Sequence, residues 1–195
     1  GIEVETLTVL YPEFAHLVCN KKLDIDSITD ITAKQRVLIG PMGSGSNTTW
    51  QSFGLANKFY KTIPTGVETG AVALLKVKGG SDAQCIFFVT GLNSGTMKDL
   101  DRNSDSKLTL VEIDSGKFDN AVDADGKKIY TFDKIPSKMY PTLANGAWSD
   151  WDTVTVEATV VVNQKWIAAN QSDFGTLADA VIAATPDIQA KVSNK

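Results

Sequence analysis

The segment Val37-Leu-Ile-Gly-Pro-Met-Gly-Ser-Gly-Ser-Asn-Thr-Thr-Trp50 constrains this chain most. It reads as a mostly apolar strand from Arg36 to Gly40, a glycine-rich loop from Gly40 to Ser46, and a helix starting near Asn47. Trp50, Phe53 and Phe59 supply the apolar face of that helix, which Gly54 is expected to end or to weaken by ~1 kcal/mol relative to Ala. A strand with few polar residues suits the interior of a sheet flanked by helices. Short apolar runs alternate with amphipathic stretches along the rest of the chain, so the expected fold class is α/β.

The loop also points to a chemistry. Successive small residues let the backbone curl until several N–H groups face one anion, and a helix N-terminus adds partial positive charge. Ser44, Ser46 and Thr48 add hydroxyls. Two nucleotide motifs fail here. A P-loop needs Lys-Ser or Lys-Thr after its last glycine, but Gly45 is followed by Ser46-Asn47. A dinucleotide fingerprint needs a third glycine where Thr48 stands. No cofactor is expected.

Elsewhere, Thr8–Tyr11 and Ala15–Cys19 read as strands around a turn at Pro12, and 25–31 as a short helix. Thr65 and Glu68 have the spacing of a capping box, opening a helix with Val67, Ala71, Leu74 and Leu75 on its apolar face. Gly79-Gly80 stops it, and 82–90 is another buried strand. Strands follow around Leu108 and Leu110, over 128–132 after the turn Asp125-Gly126, and over 153–162. Helices over 174–192 are interrupted at Pro186.

Composition excludes several classes. Of 195 residues, 19 are Lys or Arg and 23 Asp or Glu, giving a net charge of −4 with no basic stripe, which argues against nucleic acid. No apolar run approaches the ~20 residues that span a bilayer. Gly1-Ile-Glu-Val-Glu lacks the marks of a secretory leader, as a mature chain with its signal peptide removed also would. Cys19 and Cys85 both sit in apolar runs, as buried free thiols do; sequence alone leaves a disulfide between them open.

Other chemistry-bearing residues have plainer readings. Asp101, Asn103, Asp105 and Glu112 fall at calcium-loop positions 1, 3, 5 and 12, but Ser106 replaces the turn glycine and a strand follows where a helix belongs. They form a weak calcium candidate; no metal is expected. His16, the lone histidine, lies in an apolar strand and reads as structural rather than as a general base or metal ligand. No enzyme activity is expected. The pairs Asp99/Asp101, Asp123/Asp125 and Asp150/Asp152 sit in solvated turns, and Trp148 and Trp151 read as packing residues.

The order of four short motifs carries a resemblance. Leu10-Tyr-Pro-Glu13, then Gly43-Ser-Gly-Ser46 after its strand, then Phe87-Phe-Val-Thr-Gly91, then Ile135-Pro-Ser-Lys-Met-Tyr-Pro141 resembles the TAXI class of TRAP-transporter solute receptors, from about Thr8 to the C-terminal helix. The resemblance implies a periplasmic-binding-protein-like fold of two α/β lobes with a small solute between them. It implies that Gly43, Ser44, Gly45, Ser46, Asn47 and Thr48 meet the solute's acidic group, and that Tyr11 and the stretch from Gly91 to Asn93 line the cleft. It implies a periplasmic or otherwise extracytoplasmic protein that works with membrane permease subunits.

Three departures qualify it. The Tyr-Pro-Glu motif begins at residue 11, so about a third of a two-lobe receptor is expected to be missing. The expected division is 1–33 as part of the first lobe and a crossing strand, 34–135 as the complete second lobe, and 136–195 as the return to the first. Ser46 stands in place of the family's Thr, and Asn47 where relatives carry a charged residue. The chain holds only two arginines, Arg36 and Arg102, while a strongly acidic solute calls for a guanidinium. The expected solute is therefore an amino acid or organic acid of low charge. Competing readings are a ligand-sensing module of a signalling system, an α/β enzyme, and a truncated receptor without an intact site.

Overall fold

A computed structural model describes residues 3–193, except 115, 117, 119, 120, 123–125 and 127. Asp123 and Asp125, read above as a solvated pair and a turn, lie outside the described residues. The described residues build one seven-stranded mixed sheet. Its strands are β1 (Val4–Asn20), β2 (Val37–Leu38), β3 (Thr65–Gly66), β4 (Cys85–Thr90), β5 (Leu108–Val111), β6 (Thr131–Ile135) and β7 (Trp151–Asn163). The order is β3-β2-β4-β1-β7-β6, with β5 also pairing β1. β3, β2 and β4 run parallel, and β1 runs antiparallel to β4, β5 and β7.

Helices cover both faces. α1 (Gly45–Ala56) packs on one, and α2 (Gly70–Gly79), α3 (Gly95–Asn103) and the short α4 (Pro141–Ala144) on the other. Strand alternation sorts β1 between them. Ala15, Leu17 and Cys19 join Trp50, Phe53, Tyr60 and Phe87 on the α1 side; Phe14 and Val18 join Ala73, Val77, Met97 and Leu143 on the other. The apolar α/β lobe expected from the strand–loop–helix segment is present, and α1 covers the residues anticipated for its start.

β1 is one strand, not two around Pro12. It pairs β7 over its front half and then runs between β4 and β5. Asn20 donates its N–H to Gln84 at 2.9 Å, so the even-numbered residues of this stretch turn their N–H toward β4. β4 ends opposite Phe14. Pro12 therefore removes a donor on a side where no strand follows, the one place a strand tolerates proline.

Four further expectations are corrected. Thr65 and Glu68 form no capping box: Thr65 pairs Val37 in the sheet, and the Glu68 carboxylate binds Lys76 at 2.6 Å. α2 starts later, behind Thr69, and buries Ala73 and Val77, leaving Val67 62% and Leu75 69% exposed. Gly54 does not end α1; a Cβ there would stand 2.7 Å from Lys61 Cγ, so glycine admits the chain that packs behind it. Tyr60 is buried where Phe59 was expected to pack.

Cys19 and Cys85, expected as free thiols, form a disulfide. They are directly opposed in the β1–β4 ladder, in a non-hydrogen-bonded pair, where side chains come closest. Toward the C-terminus, β7 is followed by α5 (Gln164–Ala169) and α6 (Gln171–Ser193). α6 continues through Pro186 rather than breaking there. It returns along the open edge of β1, where Gln189 Nε2 donates to the Leu10 carbonyl at 2.6 Å. Trp148, expected to pack, is fully exposed; Trp151 packs against the α3–α4 side.

Candidate functional site

The glycine-rich loop leaves the carboxyl end of β2, the edge where ligands bind in open α/β sheets. Gly40 and Gly43 hold φ of 80° and 84°, which side-chain-bearing residues avoid. Two side chains fix the loop. Asn47 Nδ2 donates to the Gly40 carbonyl at 3.1 Å, and Ser46 Oγ accepts the Val89 N–H at 3.0 Å. The first turn of α1 is thus tied to β4.

The amides divide into used and unused. Ser44 N–H bonds the Pro41 carbonyl at 3.1 Å, Asn47 N–H bonds Ser44 Oγ at 3.2 Å, and Thr48 N–H bonds the Ser44 carbonyl at 2.9 Å. Ser44 is therefore the N-cap of α1. Gly45 and Ser46, the first two positions of the helix, have no backbone acceptor among the described residues. Of the four amides from Ser44 to Asn47, two are spent on the cap and the loop turn. Neither arginine reaches it: Arg36 Nε binds the Thr65 carbonyl and Arg102 pairs with Asp99.

Tyr11, Gly91 and Asn93 are brought together. They line a cavity of about 180 Å³ with Thr90, Ser94 and Val192. Tyr11 and Asn93 also line a neighbouring cavity of about 190 Å³ with Phe14 and Leu92. The end of α6 forms one wall: Asn93 Nδ2 donates to the Val192 carbonyl at 3.4 Å. A Cβ on Gly91 would lie 3.0 Å from Val192 Cγ1, which accounts for a glycine there. The loop 43–48 lines neither cavity; the Ser46–Val89 bond joins it to the same strand end. On β1, the half-buried Glu13 carboxyl is pushed above its ordinary range by desolvation.

Two of the calcium candidates, Asp101 and Asp105, have partners of their own. Asp101 is buried in α3, and its Oδ1 accepts the N–H groups of Thr142 and Leu143 at 2.9 and 2.8 Å, capping α4. Asp105 pairs with Lys78, and Asn103 Nδ2 donates to the Asp99 carbonyl at 2.7 Å. Glu112 lies past the end of β5, where its backbone bridges Ser27. Among the described residues no group of three or more His, Cys, Asp or Glu side chains is placed to hold a metal ion. His16 is fully buried, as its apolar setting implied.

Sequence reasoning missed Val192, which lines both cavities only because α6 returns along β1.

The model of the NMT1-like family matches residues 2–169. The chain belongs to the NMT1-like family. No curated protein sequence matches it. Solved structures resemble this NMT1-like chain at low identity. A protein of glutathione import in Streptococcus mutans is 11% identical with a TM-score of 0.50; the match covers 97% of this chain and 62% of that one. The AvGluR1 ligand-binding domain with glutamate is 14% identical with a TM-score of 0.45, covering 98% and 62%. A periplasmic binding protein from Brucella ovis with glutathione bound is 10% identical with a TM-score of 0.40, covering 55% and 32%. The chain thus spans less than two thirds of these proteins, and its fold is a periplasmic-binding-protein-like α/β lobe.

Proposed function

We propose that this chain belongs to an extracytoplasmic solute-binding protein that holds a small carboxylate-bearing solute, an amino acid or organic acid of low charge. The observation that carries the reading is the pair of unused amides, Gly45 and Ser46, at the N-terminus of a helix whose first turn is tied to β4. Preorganised N–H groups at a helix start favour an anion and cost nothing to reorganise when it arrives. Gly43, Ser44, Asn47 and Thr48 shape that cradle, and Tyr11, Gly91 and Asn93 form the adjoining wall. Residues 34–135 act as the solute-holding lobe, and 1–33 with 136–195 as the crossing to a second.

The solute passes to membrane permease subunits of a TRAP-type transporter, as the resemblance to TAXI receptors implies. The Cys19–Cys85 disulfide supports an oxidising, extracytoplasmic setting. No helix among the described residues is long and apolar enough to cross a membrane.

Gly45→Pro tests the reading. Position N1 of a helix accepts proline, and Ser44 already has the extended ψ of 154° that a residue before proline needs. A Cβ at Gly45 meets nothing within 4 Å. The variant deletes one free N–H and keeps the fold. Calorimetry against a panel of amino acids and organic acids should show binding weakened about tenfold with the melting temperature unchanged. Unchanged affinity would sink the assignment.

A further inference from the structure

His16 Nδ1 lies 2.8 Å from the Phe14 carbonyl and Nε2 lies 3.0 Å from the Tyr140 hydroxyl, which is itself 2.6 Å from the Leu92 carbonyl. Three contacts in series thus join two carbonyl oxygens. Carbonyls only accept, so three contacts need three hydrogens, and a neutral histidine and a tyrosine supply two. Burial keeps the ring neutral, lowering its pKa to about 4 against the opposing pull of the Phe14 carbonyl. Burial and, behind it, the Asp101 carboxylate on α3 raise the Tyr140 pKa, so the phenol keeps its hydrogen.

The position of each hydrogen follows. A lone pair on Nδ1 would face the Phe14 oxygen at 2.8 Å, acceptor against acceptor, so the ring hydrogen sits on Nδ1. Nε2 is then an acceptor. The Tyr140 hydroxyl has one hydrogen and two acceptors, Nε2 and the Leu92 oxygen. One of them always goes short, and a buried acceptor without a donor is costly. Nε2 is sealed inside the protein, because His16 is fully buried. Leu92 is only partly buried and borders the cavity shared with Tyr11, Phe14 and Asn93.

We propose that the Tyr140 hydroxyl is a two-position latch, and that the rim at Leu92 receives a solute carrying an N–H donor beside its carboxylate. The donor takes the Leu92 carbonyl, and the hydroxyl turns to His16 Nε2. Every acceptor in the series is then filled. This inference rests on the cleft reading given under Proposed function and narrows its solute to amino acids and related zwitterions.

The test uses the 15N-labelled chain and two probe pairs that differ only in the ammonium group: L-alanine with propionate, and L-glutamate with glutarate. In the free protein the ring nitrogens of His16 should report the Nδ1–H form. In the pair that binds more tightly, the amino acid should move Nε2 to lower frequency, and its partner should not. Calorimetry should favour the amino acid about tenfold. Tyr140→Phe should abolish the ring shift yet retain the preference, since the Leu92 carbonyl is then always free; a merely structural tyrosine predicts neither. An Nε2–H form in the free wild-type protein overturns the latch, and so does equal movement by both members of a pair or equal affinity for them. If Gly45→Pro still weakens both members, the carboxylate cradle survives that result. If no probe binds the wild type, the latch and the cleft reading both fall.

Discussion

Ser46 Oγ accepts the backbone N–H of Val89 at 3.0 Å, so a hydroxyl in the first turn of α1 holds the end of β4. The residue serves the fold and the candidate site at once, because its own amide is one of the two left free. Ser46→Ala removes the acceptor and leaves the Val89 donor part-buried and unmet. The expected loss is about 1–2 kcal/mol, read as a fall of roughly 3–6 °C in melting temperature. Ser46→Thr keeps the oxygen and should restore most of it. Equal melting of all three proteins would show that the bond contributes nothing.

The disulfide closes a span of 66 residues between Cys19 and Cys85. The chain-entropy relation gives roughly 4 kcal/mol for a loop of that size. The double variant Cys19→Ala/Cys85→Ala, or the wild type under reductant, should lose stability of that order in urea titrations. A difference under about 1 kcal/mol would mean that the sheet holds these strands together unaided.

His16 links stability to acidity. Its pKa is lowered from 6.5 to about 4, chiefly by desolvation. Between those values the unfolded chain binds a proton that the folded chain refuses. Stability should therefore fall as pH drops from about 6.5 toward 4, by about 3 kcal/mol. His16→Gln should flatten the curve in that window, even if it is less stable throughout. A curve of unchanged slope would contradict the buried neutral ring.

Asp101 caps α4 with one oxygen that accepts two backbone N–H groups. Asp101→Ala strands both donors, and the expected cost is about 2–3 kcal/mol in denaturant titrations. Calcium at millimolar concentration should leave the melting temperature of the wild type unmoved, since binding to the folded state alone would raise it. A rise with calcium would restore the loop reading that the helix-capping geometry displaces.

Features set by neighbours in sequence were legible. The strand–loop–helix run, the Gly80 stop and the buried β4 all depend on a few adjacent residues. Features set by distant partners were not. Whether Pro12 breaks β1 depends on where β4 ends, and whether Thr65 caps a helix depends on the pull of Val37. The disulfide exists because the β1–β4 register sets Cys19 opposite Cys85, and register is a property of two strands together. The same limit applies to the site. The loop was visible from its glycines, but which of its amides remain free depends on a cap, a turn and a bond to Val89.

β1 is held by strands on both flanks near Cys19, β4 and β5, and toward Val4 by β7 as its one strand partner, with register shifts at Thr6/Thr8 and Val9/Tyr11. In mechanical terms it is a cantilever, clamped at the disulfide and carried at the other end by β7 along one side. Bulges bend a strand where they occur. From Tyr11 to Val4 the arm is about 23 Å long at the rise of an extended chain. A tilt of about 10° at the bulges thus carries the tip roughly 4 Å while the clamped end stays still. Small rearrangements around Tyr11 are amplified at the far end of the arm, and loads applied there return to Tyr11 with the same leverage.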